Sequence, residues 1–500
     1  LTLVACMSLN SCYHQLPGGG GGGTGTAKVS FVLVADTPPT NLGLVSFKVV
    51  PTAVTLTPST GTATTFEING GNGYAFDLVR LQSDSAFLGT VPGVATGSYS
   101  SIAVTFSSAQ VAFFNGTGAA ITNLNPQCPA NSVCVVTFGG PFTATVTSTQ
   151  TISGNMGLGI DVNLAKVISA SGAALTVNLG NTSSVSAFTL PRQNSNLAAG
   201  QLDLIEDVTG VATLGGSGLT INAATAANHP PITATVNSST VLDEDPTLTL
   251  CTTPTQGSVS SCVSSNQAAS MDAILNSDGT FTAQEVEPLL GTLKDTVEGT
   301  IVSINSGNQT QFSLIVTDIV PAATNSLIGS LTVGAPLTVN LAVGPIFYVD
   351  SKGLPVANSF PTNYGAFTQS TNTTGLHLGQ TVAVHVAAFT AASGATAAIA
   401  NNVDTVTLRW SRFIATPTGA STNALFNVTS LPGYFGFTQS SVLQTEIFLG
   451  TQGTQGATNL DGISNGNAPG ANAVGVRALF IEDPGNTLTP AFFAAKVRQH

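Results

Sequence analysis

The feature that most constrains the fold is a two-residue alternation of apolar and polar side chains, cut at short intervals by turn-forming residues. Leu44-Val-Ser-Phe-Lys-Val-Val50 and Ala53-Val-Thr-Leu-Thr57 carry it, and Ser100-Ser-Ile-Ala-Val-Thr-Phe106 carries it again after Val94-Ala-Thr-Gly97-Ser-Tyr99. A period of two belongs to strands, because successive side chains leave a strand on opposite faces. Val29-Ser-Phe-Val-Leu-Val-Ala35 reads as an earlier strand, stopped by Asp36-Thr37-Pro38-Pro39. No convincing amphipathic helix breaks the series. Short strands at this spacing predict a sandwich or a barrel.

Charge narrows the class of partner. Only 7% of the 500 residues are charged, against roughly 25% in ordinary soluble proteins. Thr, Ser, Asn, Gln and Gly supply the polar surface instead, which suits exported β-proteins. The net charge is −12, and the twelve Lys and Arg are scattered. Nucleic acid is therefore not an expected partner, because phosphate binding needs clustered cations. The imbalance is local: residues 201–298 hold twelve acids against Lys294 alone, so −11 of the −12 lies there.

The first residues bear on location. Leu3-Val4-Ala5-Cys6 and Leu9-Asn10-Ser11-Cys12 close an apolar run, which reads as the end of a secretory h-region. Both stretches resemble the bacterial lipobox, so Cys6 and Cys12 are candidate lipid-anchor residues and a membrane is the expected partner at this end. Gly18 to Gly23 begin a flexible tether. From Gly18 to Ala27 it would span roughly 18 Å r.m.s.. One lipid chain holds a membrane only marginally, so the resemblance implies a multiply acylated Cys. An ordinary cleaved signal peptide is the alternative. After the N-terminus no eighteen-residue apolar window occurs, so no later membrane-spanning helix is expected.

Four further cysteines form two close pairs, Cys128 with Cys134 and Cys251 with Cys262. In an oxidising compartment each pair is most simply a local disulfide. Metal ligation would need C-x₂-C spacing with more Cys or His nearby, and neither pair has it.

Residues 28–190 carry ordered motifs: Asp36-Thr37-Pro38, then Asp77-Leu78-Val79-Arg80-Leu81, then Gly97-Ser98-Tyr99, then Leu158-Gly-Ile-Asp161-Val-Asn-Leu. In this order they resemble an uncharacterised family of bacterial secreted lipoprotein domains, which has no established activity. The later chain repeats itself. Val208-Thr-Gly210 and Val297-Glu-Gly299 each open a strand, and Ala283-Gln-Glu-Val286, Ala400-Asn-Asn-Val403 and Ala494-Ala-Lys-Val497 each close a hairpin. This is similar to a second uncharacterised bacterial repeat, which implies small barrels like the oligonucleotide/oligosaccharide-binding fold. The third unit has no clear Val-x-Gly opening near Trp410. The expected architecture is all-β: a leader and tether over 1–27, an N-terminal β-sandwich over 28–190, and three small β-barrel-like (OB-like) repeats over 201–290, 294–409 and 410–500.

Three stretches invite chemistry. Asp243-Glu244-Asp245 is the densest acidic run; it would hold Ca²⁺ through hard oxygens or splay outward as a solvated, repulsive surface. Asn276-Ser-Asp278-Gly279 with Glu285 partly matches a calcium loop, but Ile274 stands where the first carboxylate is required. A hairpin turn explains it without metal. Arg409-Trp410-Ser411-Arg412-Phe413 interleaves cations with the chain's one tryptophan. It would stack a sugar or base and hold an anion, or pack between domains. The five histidines show no metal spacing, and there is no G-x-S-x-G elbow or phosphate loop. No catalytic residue and no obligatory cofactor is expected. The reading is a lipid-anchored structural or interaction protein of a bacterial envelope, at the outer membrane or cell surface, rather than an enzyme. An extracellular protein or a polysaccharide is its expected partner. A binding module for polysaccharide or a divalent cation is the alternative.

Overall fold

A computed structural model describes residues 25–36, 42–189 and 202–499 with shorter gaps inside those ranges; the longest undescribed stretches are 1–24, 190–201, 243–262 and 351–366. The chain is all-β, arranged in several sheets and small barrels.

The N-terminal body is two sheets around one core. In the first, Thr26–Asp36 is flanked by Ala86–Ala95, antiparallel, and Met156–Asn163, parallel, with Val185–Thr189 beyond. In the second, the long strands Leu42–Pro58, Gly97–Asn115 and Val133–Val146 lie side by side, with Thr64–Glu67 at the edge. Phe31 and Leu33 from one sheet meet Phe47, Val54, Val104, Phe106 and Phe113 from the other, all essentially without solvent contact. The outward faces are apolar too where later elements cover them. Val32, Val34 and Phe87 belong to the core of the first barrel, and Val45 and Ala112 to the core of the third. That is why the strand alternates from Thr26 to Ser30 but is apolar at every position from Phe31 to Ala35.

Three five-stranded barrels follow. The first uses Val208–Gly215, Gly218–Asn222, Ile232–Thr235, Ala268–Leu275 and Phe281–Pro288. Its fourth strand pairs with both the first and the fifth, and its third runs parallel to the fifth, which closes the sheet. The second barrel, Thr296–Ile304, Gln311–Val320, Pro336–Val349, Thr381–His385 and Ala398–Arg409, closes the same way. So does the third, whose first strand is split into Ser411–Ala415 and Pro417–Thr418 before Leu425–Val428, Thr445–Leu449, Val474–Glu482 and Pro490–Gln499. Closure removes the open edges that a five-stranded sheet would otherwise present.

The Ala-x-x-Val motif is a β-bulge in the fifth strand of each barrel. Ala283 and Val286 are both buried, although an odd separation should put them on opposite faces. Asp272 lies opposite Glu285 and Ala273 opposite Ala283, so Gln284 is the extra residue that restores one face. In the third barrel Arg477 faces Lys496 and Ala478 faces Ala494, leaving Ala495 extra. In the second, Val339 pairs with Ala400 and Leu341 with Val403, and Asn402 takes the left-handed backbone, φ 55°, that absorbs the surplus. The missing Val-x-Gly opening is explained by the same register. Val208, Met271 and Val286 form a row across three strands of the first barrel; Phe413, Val476 and Val497 form the corresponding row of the third, and Ala415 stands where Gly210 would.

The Asn276–Thr280 turn is a docking element. Gly157 N–H donates to the Ser277 carbonyl at 3.2 Å, and Ser30 Oγ to the Gly279 carbonyl at 2.6 Å, fixing the first barrel to the N-terminal sheet. Gly279 has φ 78°, and a Cβ there would lie 2.6 Å from the Met156 carbonyl oxygen, so only glycine fits. Asp278 Oδ1 accepts from Thr280 N–H and Oγ1 at 3.0 and 2.6 Å, which pulls its carboxyl below the ordinary value.

Candidate functional site

The segment that crosses between the two N-terminal sheets, residues 77–85, builds the one large convergence of ionisable groups among the described residues. Asp77 anchors it. Its Oδ1 accepts from the backbone N–H of Phe47 at 2.7 Å and of Val79 at 3.0 Å, while burial pushes the carboxyl's pKa up. Leu78 and Leu81 are buried in the core. Between and after them the chain makes one turn of 3₁₀ helix, Arg80–Gln82. That turn and its exit present Arg80 and Asp84 to the barrels.

Asp84 has no exposed surface. Its Oδ1 lies 2.8 Å from Arg477 Nη1 and 4.0 Å from Lys496 Nζ, and its Oδ2 lies 3.1 Å from Arg412 Nε. Ser83 Oγ donates to Oδ2 at 3.2 Å, and Arg498 Nη1 donates to the Asp84 carbonyl at 3.0 Å. Burial alone would raise the carboxyl's pKa; Arg477, Arg412, Lys496 and Arg498 more than offset it and hold Asp84 well below the usual carboxylate range.

Arg80 extends the cluster toward the second barrel. Nη1 lies 2.8 Å from Asp318 Oδ2 and Nη2 lies 3.9 Å from Glu298 Oε1. Burial works against its charge, but Asp318 and Glu298 outweigh that and raise its pKa further. Glu298 is shared: Arg409 Nε approaches Oε2 at 3.3 Å and Arg412 Nη1 approaches Oε1 at 3.5 Å. Arg409 also pairs with Asp350. Burial, then Arg80, push the Arg412 guanidinium below its ordinary value.

The third barrel shows why Asp84 is needed. Arg412, Arg477 and Lys496 are register partners on three neighbouring strands, and Arg498 follows two residues after Lys496. Like charges directly opposite one another destabilise a sheet. Asp84 places a carboxylate against that row. Six of the chain's twelve Lys and Arg, namely Arg80, Arg409, Arg412, Arg477, Lys496 and Arg498, meet in this cluster.

The structure brings both cations of the Arg409-Trp410-Ser411-Arg412 stretch into ion pairs: Arg409 within the second barrel, and Arg412 across to Asp84 of the N-terminal body and Glu298 of the second barrel. Trp410 is 1% exposed, within the second barrel's core, with Leu479 and Phe493 of the third. Cys128 and Cys134 are bonded, with Cα atoms 5.8 Å apart, inside the range a disulfide needs. Asn115 organises that loop by donating to the carbonyls of Ala119, Cys128 and Pro129. Cys6, Cys12, Cys251, Cys262, Asp243, Glu244 and Asp245 lie outside the described residues. Three other acids of the 201–298 block, Asp272, Asp295 and Glu298, are internal, all under 9% exposed. Asp295 accepts from Ala322 N–H, Ser326 Oγ and Leu327 N–H at 2.6–2.8 Å. Among the described residues, no three His, Cys, Asp or Glu are grouped to hold a metal, and no helix is long and apolar enough to cross a membrane.

His385 Nδ1 lies 2.8 Å from Asp404 Oδ1 on the second barrel, and Thr405 Oγ1 also donates to that oxygen. The Asp404 side chain is half exposed, so the pair is a surface contact and not a buried dyad. No family model, no curated protein and no solved structure matches this chain. The sequence signal for the cluster was Arg409-x-x-Arg412. Asp84, Arg477 and the Lys496-Val-Arg498 pair lie far apart in sequence, and only the fold joins them.

Proposed function

We propose that this is a structural or interaction protein of a bacterial cell envelope, exported and held through a lipid on Cys6 or Cys12, with no catalytic role. The N-terminal body is a sandwich serving as a hub, and the barrels are three copies of one repeat mounted on it. The observation that carries this reading is the burial of the charge cluster. Asp84 and Lys496 are 0% exposed and Arg498 is 1% exposed, so these groups are spent on holding units together and are shut off from any substrate. The Cys128–Cys134 bond supports an oxidising compartment. A polar surface of hydroxyl and amide groups with few charges suits a scaffold facing neutral partners such as polysaccharide or another envelope protein.

Metabolic labelling of the full-length chain with a radiolabelled fatty acid tests the anchor. Label is expected in the wild type and none in the Cys6→Ser/Cys12→Ser protein. Label that persists in the double variant sinks the anchor.

A further inference from the structure

Four Asn-Gly pairs occur in the sequence, opening at Asn69, Asn72, Asn115 and Asn465. The last lies outside the described residues. The structure sets the other three in different surroundings. Asn115 is buried. Its Nδ2 donates to three carbonyls, and its Oδ1 accepts from Thr117 N–H and Oγ1 at 3.2 and 2.7 Å. Asn72 is exposed, but Gly73 after it is buried. Gly73 N–H donates to the Ile68 carbonyl at 3.0 Å, and a Cβ on Gly73 would lie 2.3 Å from the Pro51 carbonyl oxygen. Asn69 and Gly70 are both exposed. Both take the left-handed backbone, with φ 50° and 60°. Two such residues in succession select Asn and then Gly, because Asn tolerates this region and Gly enters it freely. A Cβ built on Gly70 meets nothing within 4 Å. The shape of the turn thus places the least hindered follower, in open space, after an exposed asparagine.

We propose that Asn69 is a site of spontaneous deamidation, which converts it to aspartate and isoaspartate in the folded protein. The backbone nitrogen of Gly70 attacks Asn69 Cγ and forms a C–N bond. The bond from Cγ to Nδ2 breaks, and Nδ2 leaves with the Gly70 amide proton as ammonia. The product is a cyclic succinimide. Water then adds to one of its two carbonyls, and the ring opens at that carbon's bond to the Gly70 nitrogen. Opening at Cγ gives aspartate; opening at the backbone carbon gives isoaspartate. The consequences follow from the turn. Asn69 Nδ2 donates to the Gly73 carbonyl at 3.0 Å, and the acid has no such donor. The new charge comes close to Glu67, whose Oε2 lies 3.8 Å from a Cβ built on Gly71. Isoaspartate also lengthens the main chain inside the span that Gly73 N–H closes on the Ile68 carbonyl. Ile68 is fully buried in the core of the N-terminal body. Deamidation therefore loosens a core side chain just before Phe76–Asp77, which opens the segment carrying Arg80 and Asp84.

The test is peptide mapping by mass spectrometry after the full chain is held at mildly alkaline pH in isotopically heavy water, once folded and once in urea. Heavy oxygen enters only where the succinimide opens during that incubation, so changes made during digestion are not counted. In the folded chain Asn69 is expected to carry the label. Asn72 and Asn115 should react about ten-fold or more slowly folded than in urea, because reaction there waits for local opening. Asn69→Gly supplies the control: glycine suits φ 50° and has no side-chain amide to lose. The acidic species that ion exchange resolves from the aged wild type should be reduced in this variant. An Asn69 that reacts no faster than Asn115 in the folded chain overturns the proposal. So does an acidic species that forms undiminished in Asn69→Gly, which would place the reaction at another residue.

Discussion

Replacing Asp84 with Asn removes one negative charge and leaves the shape, the backbone carbonyl that receives Arg498 and the surrounding packing in place. What remains is Arg412, Arg477 and Lys496, all within 4.0 Å of the lost carboxylate and all less than 9% exposed. Taking one partner from a buried ion pair costs about 3–5 kcal/mol, because the other charge is stranded in a poorly solvating place. Arg412 keeps Glu298 at 3.5 Å, so Asp84→Asn is expected within that range and not above it. The assay is urea unfolding of wild type and variant at neutral pH. A double-mutant cycle with Arg477→Gln isolates the pair: the second substitution should cost much less in the Asp84→Asn background than alone. The pH dependence follows from the depressed carboxyl. Its contribution is full above the unfolded value, about 3.9, and is lost as pH falls below that toward the folded value. The difference between wild type and variant should therefore stay flat from pH 7 to 5 and shrink only below about pH 4. A loss under about 1 kcal/mol, the worth of an exposed pair, would refute the reasoning.

Three further outcomes are expected. Gly279→Ala places a methyl 2.6 Å from the Met156 carbonyl oxygen at a left-handed φ; it should cost about 1–3 kcal/mol and raise protease sensitivity in the first barrel. Cys128→Ser with Cys134→Ser should lower stability by about 2 kcal/mol, since the closed loop is short, and mass spectrometry of the wild type should find the two thiols oxidised. Phe413→Ala empties a fully packed position in the third barrel's core; it should cost about 3–5 kcal/mol in thermal or urea unfolding.

Much of the fold is legible in the sequence because strands write their period there. Val54, Leu56, Ile102 and Val104 alternate with polar or small residues, and all four are buried. The Ala-x-x-Val motif is visible too, but its cause is not: a spacing of three looks wrong for a strand until the bulges at Gln284 and Ala495 are seen. Phe413 and Ala415 hid the third barrel's opening by filling the same positions with different apolar side chains. The charge cluster was the least legible part. Arg409 and Arg412 stand out because they flank a tryptophan. Arg477 and Lys496 are nineteen residues apart in sequence and directly opposite in register, and Asp84 reaches them across 393 and 412 positions. Local pattern holds no record of such a meeting. Asp77-Leu78-Val79-Arg80-Leu81 is visible as a motif, yet its work is to aim Arg80 and Asp84, which its own spacing does not announce.

The central claim is that the Asp84 cluster joins the N-terminal body and the third barrel into one cooperative unit. Native-state hydrogen exchange tests it most directly, because it reads an opening free energy for each segment. The amides of the Gly97–Asn115 strand and those of Val474–Glu482 should open with a common free energy in the wild type. In Asp84→Asn, the Val474–Glu482 amides should open at distinctly lower free energy than the Gly97–Asn115 amides. If the two strands already open independently in the wild type, or still open together in the variant, the cluster is not what couples them.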